Sequence, residues 1–296
     1  MQTFVLFLAT VVIWGSTWIA IKLQVGPVPV LVSVFYRFAV AAAVLIAALV
    51  LTRRLKSPPL RQHPFLLAQA LCLFSCNFIC FYTAEAYVAS GLVSVVFSLA
   101  TIYNAVNARL FFGEPITART VVAALMGVAG LGLLFGRDIW VDLDPGALKG
   151  IGFAALGTLF FSLGNMVSRR NSAAGLSPLT TNAWGMAYGA IVLLVLIAAT
   201  RTPLVAPPSG AYVSALLYLS VFGSVVAFTT YLELVARVGS SRAAYATVLF
   251  PIVALALSTM FEGYRWTASG VLGLALCLAG NAVIFAAPRK PGRSRA

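Results

Sequence analysis

Acidic side chains are scarce in this chain: seven Asp and Glu stand against twenty Lys and Arg, with one histidine and four cysteines in 296 residues. Charged residues make up 9% of the whole, where a soluble domain carries about 25%. That shortage excludes an ordinary soluble globular domain. The one histidine, His63, sits beside Pro64 in a loop, and no acid falls at mid-depth of an apolar stretch. A catalytic cluster, whether a metal-ligand set or a nucleophile with its base, has nowhere to form. The reading is therefore not an enzyme, with no cofactor and no metal. Cys72, Cys76 and Cys80 share one helix face, but a metal would need thiolates and usually a fourth ligand. They read as small apolar residues. No selectivity-filter motif of carbonyls or charged rings is visible, which leaves a channel, like a membrane-embedded enzyme, as an outlying alternative. Residues 1–3 carry no Lys or Arg, so no signal peptide is expected.

What is abundant is apolar sequence. The chain is 61% hydrophobic, with a mean hydropathy of +0.99. At about 20 residues per crossing, ten spans fit, near 4–24, 30–52, 65–84, 91–112, 117–136, 148–168, 178–199, 211–236, 239–261 and 267–287. Gly26-Pro27, Ser57-Pro58-Pro59, Glu114-Pro115, Asp144-Pro145-Gly146 and Pro207-Pro208 all fall between them, where such breakers belong. The net charge of +13 does not mark a nucleic-acid partner, because the basic residues sit in short clusters between spans. Clusters of that kind set orientation. With the N-terminus in the cytoplasm, fourteen of the twenty Lys and Arg lie inside, including the tail residues Arg289, Lys290, Arg293 and Arg295. Both termini are expected to be cytoplasmic, and the tail to touch anionic lipid.

The second half repeats the first about 149 residues later. Glu85, Gly91 and Glu114 recur without a gap as Glu233, Gly239 and Glu262, and Gly15 and Pro29 recur as Gly164 and Pro178. Five spans per half is an odd number, so the second copy enters the membrane upside down. The expected fold is an all-α integral membrane protein of ten transmembrane helices, built as two inverted five-helix repeats, residues 1–140 and 141–296. Inverted repeats are typical of secondary transporters, whose substrate sits near mid-bilayer where the repeats meet.

Specific residues carry a further resemblance. Trp14-Gly15-Ser16-Thr17-Trp18, Tyr36-Arg37-Phe38, Ser90-Gly91-Leu92 and Phe112-Gly113-Glu114-Pro115-Ile116-Thr117 together resemble the EamA-type members of the drug/metabolite transporter superfamily. Within it the chain looks most like the bacterial inner-membrane exporters of aromatic and other neutral amino acids, the YddG-like branch. The second half departs from the pattern, because Glu262-Gly263-Tyr264-Arg265-Trp266-Thr267 has two extra residues before its Thr. The resemblance implies a multi-pass bacterial inner-membrane exporter of small metabolites, with a cavity lined by spans one, three, four, six, eight and nine and with spans five and ten at the back. Cationic drugs or other metabolites are the alternative cargo.

The polar and aromatic residues at mid-depth are the candidates for substrate contact: Trp14, Ser16, Thr17, Asn77, Phe78, Tyr82, Ser98, Tyr103, Asn165 and Tyr245. Amides and hydroxyls would hydrogen-bond an amino acid's charged ends, and aromatic walls would pack a flat side chain. The cavity is expected to be uncharged. Lys22 reads as a snorkelling residue, and Arg37 either draws a carboxylate at the outer mouth or has a structural partner. Glu85 and Glu233 are gate latches, proton carriers or plain helix-end charges. Pro251, in span nine, marks a gating kink. Without a carboxylate at mid-depth a proton relay has no seat, which favours export down a gradient. Gly127, Gly130, Gly273 and Gly280 form a small-residue seam, either between spans five and ten or between two copies in a homodimer. The remaining partners are the small-molecule substrate and the lipid bilayer.

Overall fold

A computed structural model describes residues 2–140, 144–238 and 245–285. These form ten long helices and no strand. In chain order they are α1 (Gln2–Lys22), α2 (Val30–Leu51), α3 (Leu60–Ala84), α4 (Ser90–Phe112), α5 (Ala118–Trp140), α6 (Pro145–Ala173), α7 (Pro178–Ala199), α8 (210–238), α9 (Tyr245–Phe261) and α10 (Ala268–Phe285). Eight of them contain apolar stretches long enough to cross a bilayer, and α9 and α10 are shorter but equally apolar among the described residues.

The ends follow local chemistry. Asp144 and Ser177 cap α6 and α7, each followed by a proline at the first helical position, where its missing N–H costs nothing. Ser209 caps α8 by accepting from the N–H of Tyr212. Gly113 and Gly263 end α4 and α9 in the left-handed conformation, which glycine adopts without strain. The helix α6 runs five residues past the expected span. Arg169 and Arg170 at its end are held by partners beyond the apolar zone, so the helix has no reason to stop at their charge.

The backbone repeats itself. The six left-handed positions among the described residues are Gly26, Arg53, Gly113, Gly175, Arg201 and Gly263. They fall into three pairs separated by 149, 148 and 150 residues. A π-helical segment at Cys72–Cys76 in α3 has a counterpart at Tyr218–Val226 in α8. Packing obeys the same two-fold. Helix α2 lies on α7, α4 on α9 and α5 on α10, while α1 packs on α8 and α9 as α6 packs on α3 and α4.

Equivalent helices run in opposite directions where they meet. On α4 and α9, Ser90 contacts Glu262 and Phe97 contacts Phe250. On α5 and α10, Met126 faces Gly280 and Leu134 faces Gly273. Rising numbers on one helix meet falling numbers on the other, so the two halves are inverted. The small-residue seam lies inside the chain: a Cβ on Gly130 would come within 2.6 Å of the Gly273 carbonyl oxygen, and one on Gly273 within 2.5 Å of the Gly130 oxygen. Small residues allow this backbone approach.

Candidate functional site

Where the halves meet, the helices line a small, partly open cavity of about 90 Å³. Its walls come from α1 (Trp14, Thr17, Trp18, Ile21), α2 (Arg37), α3 (Leu73, Asn77, Phe78, Phe81), α4 (Phe97), α6 (Phe161), α8 (Gly223, Phe228) and α9 (Phe250). Among the described residues, none from α5, α7 or α10 lines it.

Aromatic rings dominate. Trp18 packs edge-on against Phe81 at 5.4 Å and near-parallel to Phe250 at 6.2 Å. Phe97 meets Phe161 at 4.7 Å, and Trp14 meets Phe228 at 5.6 Å. These are the offset and T-shaped distances that aromatic pairs prefer. A wall of mutually packed aromatic rings results, suited to a flat apolar group.

Four of the seven lining helices depart from regular geometry close to a wall residue. The π segment of α3 contains Leu73 and runs up to Asn77, and that of α8 contains Gly223. In α4 the helix breaks at Ser98–Leu99, just after Phe97. Pro251 lies inside α9 beside Phe250. Such interruptions gather at functional sites, because they free backbone groups and allow bending.

The expected substrate-contact residues divide. Trp14, Thr17, Asn77 and Phe78 line the cavity. The Asn77 side-chain oxygen accepts from the N–H of Phe78 at 2.8 Å. Five others lie outside the lining, four of them engaged elsewhere. Ser16 bonds its own helix and the Tyr218 hydroxyl at 2.6 Å. Tyr82 is fully buried and donates to Gln24 at 2.8 Å. Ser98 returns its hydroxyl to the Val95 carbonyl, and Asn165 donates to Asn104 at 3.3 Å. Tyr103 lies on α4 outside the lining set. For Ser16 and Ser98 the physical reason is shared: in an apolar helix a backbone carbonyl three or four residues back is the nearest acceptor; Thr17, though in the wall, likewise donates to the Trp14 carbonyl at 2.7 Å. The side chains of Tyr245 and Glu233 lie outside the described residues.

The expectation of an uncharged cavity is corrected. Arg37 lies two turns into α2, is 3% exposed and forms part of the wall. Its guanidinium carbon sits 4.3 Å from the centre of the Phe78 ring. Sequence reasoning placed it near the outer mouth because it lies only eight residues after Pro29, yet α2 drops directly into the bundle. Glu85 is also fully buried, with neither carboxylate oxygen hydrogen-bonded among the described residues. Lys22 donates to the Glu85 carbonyl oxygen at 2.6 Å rather than reaching outward.

One contact was not anticipated. At the end of the bundle that holds Lys22 and Glu85, the carboxylate of Glu262 receives the Ser90 N–H at 3.1 and 3.2 Å and the Ser90 hydroxyl at 2.5 Å. It also bonds Ser258, whose oxygen accepts from the Gly91 N–H at 2.8 Å. The end of α9 thereby caps the start of α4, an arrangement favoured by the helix dipole. Its counterpart Glu114 is half-exposed and pairs instead with Arg169 at 2.6 Å. The repeat spacing of Glu114 and Glu262 marks the pair in the sequence, but not which member is engaged.

Comparison with known proteins gives the site its context. The model of the EamA-like transporter family matches residues 1–136 and again residues 148–286. The chain belongs to the EamA-like transporter family. The double match coincides with the backbone repeat. The chain is 29% identical over 279 residues to the uncharacterized inner membrane transporter YedA of Escherichia coli (strain K12), covering 91% of this chain and 88% of that protein. It is 24% identical to protein PagO of Salmonella typhimurium, covering 98% and 95%. The uncharacterized transporter YoaV of Bacillus subtilis (strain 168) is 23% identical, with 92% and 93% covered. A crystal structure of a protein at 21% identity superposes with a TM-score of 0.68 over 95% of this chain and 96% of that one, which shows a shared fold. This EamA-like protein is thus a multi-pass membrane transporter, and its family handles small molecules in a lipid setting.

Proposed function

We propose that this protein exports small amphipathic metabolites, foremost aromatic and neutral amino acids, across a bacterial inner membrane by alternating access. The observation that carries the reading is the aromatic cavity at the junction of two inverted halves. An apolar side chain would lie against Trp18, Phe97 and Phe250, while Asn77 and Thr17 offer polar groups to the amino-acid head. The halves, residues 1–140 and 141–296, rock about this site and expose it to one side at a time. Gly130 and Gly273 let α5 and α10 act as a close-packed spine at the back. The irregular points in α3, α4, α8 and α9 supply the bending.

With both termini cytoplasmic, the Glu262–Ser90 contact sits at the outer end and holds α4 and α9 together there. Glu262 thus takes the latch role first given to Glu85 and Glu233. Cationic drugs are the less favoured cargo, because the guanidinium of Arg37 in the wall repels them. Counterflow in proteoliposomes, with labelled Phe, Trp, Thr and a cationic drug, tests the reading. Saturable exchange of the amino acids supports it; exchange of the cation alone would overturn it.

A further inference from the structure

We propose that Arg37 is the carboxylate anchor of the cavity, so that cargo must carry an anionic head next to its apolar body. This rests on the transport reading and narrows its substrate class to amphipathic carboxylates. An ionisable side chain inside the membrane is costly and is kept where it pairs or works. Beyond its Tyr82 neighbour, Arg37 is incompletely paired. No ion pair holds it among the described residues. Its Nε reaches Ser224 only at 3.5 Å, and Nη1 is buried with no hydrogen-bond partner. Nη2 lies at the cavity wall, 3.7 Å from where a Cβ on Gly223 would stand.

A Cβ at residue 223 would meet the Thr17 methyl carbon at 2.8 Å before Nη2 at 3.7 Å, so the glycine brings α8 and α1 together along one face of the guanidinium. The Phe78 ring supports the other face, fixing the plane of the fork. A planar, oriented guanidinium with unfilled donors is the geometry that recognises a carboxylate bidentately. The aromatic wall of Trp18 and Phe97 then receives the rest of the molecule. The competing role is structural: the Tyr82 hydroxyl is a hydrogen-bonding neighbour of Arg37 and Glu85 an electrostatic one, and the cation would merely offset that buried acid.

The test separates the two. Wild type, Arg37→Gln and Arg37→Lys are purified; ligand binding is read by intrinsic tryptophan fluorescence and exchange by counterflow. The ligands are phenylalanine, 3-phenylpropanoate and phenethylamine, which keep both charged groups, the carboxylate alone and the amine alone. Wild type is expected to prefer the two carboxylates over the amine by about tenfold or more, the range for a charge-assisted hydrogen-bond pair. Arg37→Gln should abolish that preference, and Arg37→Lys, which keeps the charge but not the fork, should retain only part of it. Should Arg37→Gln fail to fold, an undiminished preference in Arg37→Lys overturns the proposal. So does an undiminished preference in Arg37→Gln. Carboxylate binding without exchange would keep the anchor and defeat the export reading; exchange with unaltered preference would do the reverse.

Discussion

Replacing Glu262 by Gln weakens the contact that joins α9 to α4, and the structure gives its scale. The carboxylate accepts three recorded bonds from Ser90, at 2.5, 3.1 and 3.2 Å, besides its bond with Ser258. A glutamine keeps one acceptor oxygen and turns the other into a donor facing donors. Each bond to a charged group contributes about 1.5–3 kcal/mol, and the charge at the start of α4 adds about 0.3–1 kcal/mol. Rotation and water recover part of the loss, leaving roughly 2 kcal/mol, close to a thirtyfold shift in a two-state balance. If the contact closes the outer end, that shift appears as exposure of the cavity.

The reporter is a single cysteine at Thr17, which lines the cavity, in a variant lacking Cys72, Cys76, Cys80 and Cys277. Labelling by a membrane-impermeant maleimide from the outer face should accelerate by ten- to thirtyfold in Glu262→Gln, on the same ~2 kcal/mol scale. Ser258→Ala, which removes one neutral partner, should move the same way by less. A lower melting temperature with an unchanged labelling rate would refute the reasoning. Glu262 would then be a helix cap and nothing more.

Other outcomes follow from the same geometry. Asn77→Ala should slow counterflow several-fold at constant expression, whereas Tyr103→Ala should leave it near wild type, because only Asn77 lines the cavity; equal effects would contradict the placement. Gly130→Leu should abolish folded protein, since a Cβ there would sit 2.5 Å from the Cys277 sulfur, while Gly132→Leu, with nothing within 4 Å, should be tolerated. Size-exclusion profiles of the two variants decide it. Single cysteines at Ser57 and Ala206 should be labelled from the cytoplasm and from outside respectively; the reverse pattern would invert the topology.

The helices and their repeat were readable because apolar length and proline-glycine punctuation are local properties, and the repeated glutamates and glycines are spaced too regularly for accident. The cavity was readable in part. Trp14 and Phe78 announce themselves by residue type, whereas the fate of Ser16 or Ser98 depends on the nearest carbonyl, which composition does not reveal. Arg37 was misplaced because depth in the membrane depends on how α2 sits in the bundle, not on distance from Pro29. The π segments of α3 and α8 leave no mark in residue type at Cys72–Cys76. Glu262 was visible as a repeat of Glu114, but a pair of identical residues does not say which one is engaged.

The inverted arrangement of the two halves is tested most directly by cross-linking along α5 and α10. A Cβ on Gly280 would stand 3.2 Å from the Met126 Cβ, and one on Gly273 would stand 3.0 Å from the Leu134 side chain, close to the span of a disulfide. In a variant without native cysteines, the pairs Met126→Cys with Gly280→Cys and Leu134→Cys with Gly273→Cys should both oxidise readily within one chain. Cross-links instead between Met126→Cys and Gly273→Cys and between Leu134→Cys and Gly280→Cys, with neither expected pair forming, would mean that the equivalent helices run the same way.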